Sequence, residues 1–119
     1  MTDAIEKWVN AYRAAWESND SDDIRALFTE DASYLTAPFR EPWRGHDEIV
    51  AGWLDARDEP GETTFEWRVL AQTDELAFVQ GETAYRDDET YSNLWVIALD
   101  ADGRATSFTE WWMEQPSAT

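Results

Sequence analysis

A chain of 119 residues with no cysteine is long enough for one hydrophobic core and has no disulfide framework, thiolate metal site or cysteine nucleophile. Its formal charge of −17, from 26 acidic against 9 basic residues, repels phosphate backbones and anionic headgroups, which argues against nucleic acid as a partner. The 43% apolar and 14% aromatic content, with eight tryptophans, suffices to offset chain entropy, so the charge belongs on the outside of a folded domain. No apolar run approaches the roughly 18 residues of a membrane span and no basic-then-apolar leader opens the chain, so a single cytoplasmic domain, 1–119, without a membrane partner is expected.

Ile5, Trp8, Val9, Tyr12, Ala15 and Trp16 recur at helical spacing between charged positions and predict a helix over about residues 3–18. Asp20 or Ser21 can cap a second, short helix whose first turn carries Asp22 and Asp23 and whose buried face is Ile24, Leu27 and Phe28. A short strand, Ser33 to Thr36, is halted by Pro38, and a loop with Phe39, Pro42 and Trp43 follows. Gly45 leads into a third helix with Ile49, Val50, Trp53 and Leu54 on one face, ending near Arg57 to Glu59 and the breaker pair Pro60-Gly61.

Four β-rich runs complete the chain: Thr63 to Gln72, Leu76 to Tyr85, Thr90 to Leu99 and Ala105 to Met113. Polar turns separate them around Asp74-Glu75, Asp87-Asp88 and Asp100 to Gly103. Helices followed by a meander predict an α+β fold, three N-terminal helices packed on a strongly curved antiparallel sheet, because a parallel α/β sheet needs a helix between successive strands. Trp111 and Trp112 must point to opposite faces of the last strand, so both sheet faces need cover. The helices cover one, and a homodimer through the outer sheet face is expected to cover the other.

Tyr12-Arg13-Ala14-Ala15-Trp16, Asn19-Asp20, Ile24, Ala26-Leu27-Phe28, Asp31-Ala32, Pro42, Gly45 and Ile49, with the closing Gly103 and Glu110-Trp111-Trp112, resemble the nuclear transport factor two-like superfamily. That superfamily includes SnoaL-like polyketide cyclases and ketosteroid isomerases. The resemblance spans nearly the whole chain and implies a cone-like α+β roll around a cavity for a small apolar molecule. It speaks to fold more than to reaction, since one fold hosts many chemistries. Tyr12 matches the ketosteroid isomerase tyrosine that donates to a developing oxyanion. The position of that family's general-base aspartate is held here by Ala37 and that of its second oxyanion donor by Trp95, so steroid isomerisation by those groups is not expected.

Alignment with that fold turns Phe108, Glu110 and Trp112 inward and Thr109 and Trp111 outward. Glu110 is then a carboxylate in a tryptophan-lined hollow, where burial raises its pKa and fits it for acid–base work near neutral pH. Tyr91, Asn93 and Trp95 share a strand face, which puts the Asn93 amide in reach of Glu110 or of a ligand. Tyr12, Asn93 and Glu110 form the candidate catalytic cluster, against the plainer alternative that the three satisfy one another and do no chemistry. The candidate pocket walls are Trp16, Tyr34, Phe39, Trp43, Trp53, Phe65, Trp67, Tyr91, Trp95, Phe108 and Trp112. Periodicity also explains most of these as core, and the loop pair Phe39 and Trp43 reads as a lid or as part of a dimer seam.

His46, alone of its kind, offers no zinc site and suits a surface or capping role. The acidic turn Asp100-Ala101-Asp102-Gly103 lacks the remaining ligands of a calcium loop, so neither metal nor cofactor is expected. Two functions stay open. One is a cofactor-independent enzyme of isomerase, cyclase or dehydratase type, with hydrolysis less favoured; the other is a non-catalytic ligand-binding or accessory dimeric domain.

Overall fold

A computed structural model describes residues 3–37, 39–55, 61, 63–85 and 90–115. Helix α1 (Asp3–Ser18) buries Ile5, Trp8, Val9, Tyr12 and Ala15, the stripe its spacing predicts. Asn19 closes it at φ 52°, a left-handed conformation that asparagine tolerates, with its N–H 2.8 Å from the Ala15 carbonyl. Of the two candidate caps, Asp20 does the work: its carboxylate accepts from the Asp22 N–H at 2.8 Å and opens α2 (Ser21–Leu27). The Trp8 indole donates to the Leu27 carbonyl at 2.8 Å, tying the end of α2 to α1.

Strand β1 (Phe28–Leu35) starts five residues earlier than the sequence pattern suggests. Phe28, expected on the face of α2, is instead the first strand residue, with φ −128° and ψ 153°, and is fully buried. The cause is a register shift between Phe28 and Ser33, where Glu30 and Asp31 turn to solvent and break the alternation. A two-residue strand β2 (Trp43–Arg44) pairs antiparallel with β1, Tyr34 opposite Trp43, within what the sequence presents as loop. Helix α3 (Gly45–Asp55) buries Ile49, Val50 and Trp53. The expected strand stop at Pro38, the helix end at Arg57 to Pro60 and the turn at Asp87-Asp88 lie outside the described residues.

Strands β3 (Thr63–Gln72), β4 (Ala77–Tyr85), β5 (Thr90–Leu99) and β6 (Ala105–Glu114) form the antiparallel meander the sequence predicts. The six strands run β2-β1-β6-β5-β4-β3, with β1 parallel to β6 the single departure from antiparallel pairing among the described residues. The result is an α+β fold: three helices against one face of a curled, open sheet. Between β5 and β6, Asp100 Oδ1 accepts from the backbone N–H groups of Asp102 and Arg104 while Gly103 takes φ 83°, the geometry of a tight hairpin. His46 donates Nε2–H to the Phe28 carbonyl at 2.9 Å, which pins the start of α3 to the start of β1.

The core is aromatic. Trp8, Phe28, Tyr34, Trp95 and Phe108 are almost fully buried together with Ile5, Ile24, Ile49 and Ile97. No helix among the described residues is long and apolar enough to cross a membrane.

Candidate functional site

Between the helices and the concave sheet face lies a cavity of about 370 Å³. Its lining comprises Tyr12 and Trp16 of α1, Tyr34 and Thr36 at the end of β1, Trp43, Trp53 of α3, Thr83 and Tyr85 of β4, Tyr91, Asn93 and Trp95 of β5, and Glu110 and Trp112 of β6. Strand alternation explains the sheet members: 83 and 85, then 91, 93 and 95, then 110 and 112, each every second residue on the inward face.

Register then builds a polar chain across three strands. Trp95 stands directly opposite Glu110, and Asn93 opposite Trp112, which sets the Asn93 amide diagonally beside the Glu110 carboxylate. Asn93 Nδ2 donates to Glu110 Oε2 at 2.5 Å, and Trp95 Nε1 donates to the same oxygen at 3.2 Å. Behind them the buried Thr83 hydroxyl donates to Asn93 Oδ1 at 2.7 Å and fixes which way the amide points. Both protein donors thus converge on Oε2, and among the described residues Oε1 receives none.

An indole nitrogen can only donate, so Oε2 must act as an acceptor. A proton on Oε1 leaves Oε2 as the carbonyl oxygen, the better acceptor for both of these hydrogen bonds. Burial pushes the Glu110 carboxyl above its ordinary value, the Asn93 and Trp95 hydrogen bonds opposing that rise without cancelling it.

Tyr12 does not join this carboxylate directly. Its hydroxyl lies 2.7 Å from that of Tyr34. Burial, and secondarily the Glu110 charge, hold the Tyr34 phenol well above its ordinary pKa, while the bond to Tyr12 works the other way. Tyr34 therefore stays neutral. Tyr34 is held from behind by the Trp43 ring, stacked at 4.8 Å and 25°, and by Phe108 at 4.6 Å.

Of the candidate walls, Trp16, Tyr34, Trp43, Trp53, Tyr91, Trp95 and Trp112 line the cavity, and four do not. Phe108 is fully buried behind the Tyr12 and Tyr34 rings. Phe65 stacks on Trp95 at 4.9 Å and 18°, over the place where Gly81 has no side chain, and so backs the wall without facing the space. Trp67 packs against the core farther along β3. Phe39 is 85% exposed on the loop before β2 and is not part of the lining. Sequence reasoning overlooked Thr36, Thr83 and Tyr85. Thr83 and Tyr85 share an alternation phase with the buried Val79, a signal that identifies them only once the register Thr83 to Tyr91 is known.

A family model of the SnoaL-like domain matches residues 9–113. The chain belongs to the SnoaL-like domain family. No curated protein matches its sequence. Among solved structures, this SnoaL-like chain is similar to a putative ketosteroid isomerase from Kribbella flavida, with a TM-score of 0.73 and 19% identity over 98% of this chain and 83% of that one. It is similar to the epoxide hydrolase/cyclase-like enzyme SalBIII of pyran ring formation in salinomycin, with a TM-score of 0.72 and 19% identity over 91% and 89% of the two chains. An M. tuberculosis LEH-like epoxide hydrolase also aligns, with a TM-score of 0.63 and 21% identity over 94% of this chain and 84% of that one. At such identities the likeness establishes the fold of this SnoaL-like chain.

Proposed function

We propose that this SnoaL-like chain binds a small organic molecule with an apolar frame in the aromatic cavity, and that Glu110 exchanges a proton with it through Oε1. The observation that carries this reading is the asymmetry of the carboxyl: Oε2 is held by two N–H donors, whereas Oε1 has none among the described residues. A group so oriented, with a pKa raised by burial, is equipped to give or take a proton near neutral pH. The neutral Tyr34 phenol, hydrogen-bonded to Tyr12, stands in the same lining as Glu110.

These parts suit isomerisation, cyclisation or dehydration without a cofactor, and the solved relatives named for isomerase and cyclase chemistry agree with that class. The outer sheet face supports a two-fold dimer in addition. Trp111 and Met113 stand 52% and 70% exposed on β6, beside Leu94 of β5, on the face the helices leave uncovered.

Native mass spectrometry of protein purified without added ligand identifies what occupies the cavity. Turnover of that molecule by Glu110→Gln is then expected to fall by about 100-fold or more, in line with the worth of a positioned proton-transfer group. Unchanged turnover would remove Glu110 from the reaction.

A further inference from the structure

The cavity lining is unusual in what it combines. Five of its residues are tryptophans and four are tyrosines, and the single ionisable group besides the phenols is the Glu110 carboxyl. No lysine, arginine or histidine faces the space among the described residues that line it. A hollow built for a wholly neutral hydrocarbon has no use for a carboxylate, and one built for an anion would not place a carboxylate there without a cation to balance it.

Aromatic faces attract positive charge through the ring quadrupole, most strongly for indole, and the attraction grows when the cation is withdrawn from water. The rings around this space lie at steep angles to one another, Tyr12 to Trp16 at 85°, Tyr12 to Trp53 at 52° and Tyr91 to Trp112 at 72°, so they enclose it from several directions. The protein already uses this affinity at the margin of the cavity, where the Arg13 guanidinium lies 4.5 Å from the centroid of the Trp16 ring. Arg13 is itself engaged by the Thr63 hydroxyl and carbonyl and by Glu17, which keep it out of the lining. At longer range, a formal charge of −17 draws cations toward the molecule and raises their encounter rate.

We infer that the ligand of this cavity carries a positively charged nitrogen, a quaternary ammonium or a protonated amine on an apolar frame, caged by the indoles and phenols with Glu110 as its counter-ion. The inference rests on the reading above that the cavity takes an organic molecule, and narrows the class of that molecule. Oε1, which has no donor among the described residues, is the atom that faces the charge, while Asn93 and Trp95 hold the other oxygen in place. For a protonated amine it accepts an N–H hydrogen bond; for a quaternary ammonium the contact is purely electrostatic.

The test is a matched pair of probes, phenyltrimethylammonium and tert-butylbenzene, which have the same shape and the same number of heavy atoms and differ in charge. Binding is followed by quenching of tryptophan fluorescence, with isothermal titration calorimetry as the second readout. The ammonium probe is expected to bind roughly tenfold or more tightly than its neutral twin. In Glu110→Gln, whose side-chain oxygen can keep the Asn93 and Trp95 hydrogen bonds, that preference should shrink several-fold while affinity for the neutral probe is retained.

Equal binding of the two probes, or tighter binding of tert-butylbenzene, overturns the cationic ligand and leaves the cavity reading standing. Binding of neither overturns both. A preference undiminished in Glu110→Gln overturns the counter-ion role. The wild-type comparison alone decides the main question, whether or not the variant folds.

Discussion

Replacing Thr83 by valine removes one hydroxyl and changes little else in shape, which makes it a clean probe of the polar chain behind Glu110. Thr83 is 3% exposed and Asn93 7%, and their hydrogen bond is 2.7 Å long. Without the hydroxyl, Asn93 Oδ1 faces a methyl group. An unpaired buried acceptor costs about 1–3 kcal/mol, and the added methyl returns at most about 0.8 kcal/mol, so the net loss is about 0.2–2.2 kcal/mol. At about 2.1 cal/mol/K per residue, the unfolding entropy of 119 residues is about 0.25 kcal/mol/K. Each kcal/mol then moves Tm by about 4 °C, and the expected fall is about 1–9 °C.

The substitution also frees the amide to turn away from Glu110, removing an N–H donor from Oε2 and letting burial drive the carboxyl pKa further up. Calorimetry reads the first effect and carboxyl carbon NMR the second. The double variant with Asn93→Leu supplies the control, because Thr83→Val should cost almost nothing once its acceptor is gone. A Tm within a degree of wild type together with an unmoved Glu110 titration would refute the argument that Thr83 orients the amide.

Other outcomes follow from the same geometry. A carboxyl whose folded-state pKa lies above its unfolded value binds its proton more tightly when folded, so its stabilising effect is full below the unfolded value and is lost as pH rises through the folded one. Glu110→Gln does not titrate and should gain stability relative to wild type as pH rises above the ordinary glutamate value of about 4; parallel denaturation curves at all pH values would count against a buried, protonatable Glu110. In Gly52→Ala, the new Cβ would lie 2.3 Å from Trp43 Cε2. The better helix propensity, worth about 1 kcal/mol, is then outweighed by overpacking of about 1–3 kcal/mol, and ligand affinity should drop as Trp43 leaves its stack on Tyr34; a rise in Tm would show that the ring yields freely. Trp111→Lys, on an exposed face, should leave the fold intact and turn the proposed dimer into a monomer by light scattering, an outcome that a monomeric wild type would make meaningless.

Much of the fold could be read from the sequence because its strongest signals are local. The stripe of α1 and the alternation of β3 to β6 depend on residues near one another in the chain. Strand β1 was harder to delimit: Glu30 and Asp31 fall where its register shifts, so the charges that mark solvent exposure hide the strand's first half. Strand β2 is too short to carry any period.

The site divides in the same way. The inward direction of Glu110 came from the resemblance to the fold, alternation put Asn93 and Trp95 on one face, and their contacts follow from pairing within one hairpin. The Tyr12–Tyr34 bond joins a helix to a strand 22 residues away, and the stacking of Phe65 on Trp95, two strands distant, crosses a glycine on the strand between them. Neither depends on local pattern, which is why Tyr12 was grouped with Glu110 and Phe65 was assigned to the lining.

The parallel pairing of β1 with β6 also governs how the molecule can be assembled. During synthesis the first helices and β1 leave the ribosome long before their hydrogen-bonding neighbour exists, because Phe28 pairs with Ala105. The segment from 63 to 114 can zip into its meander from successive hairpins, whereas β1, paired early only with the two-residue β2, must wait for β6 until nearly the whole chain has emerged. The carboxylate strand is thus the keystone, and a nascent chain arrested before residue 105 would expose the apolar surface of β1 to chaperones and neighbouring polypeptides.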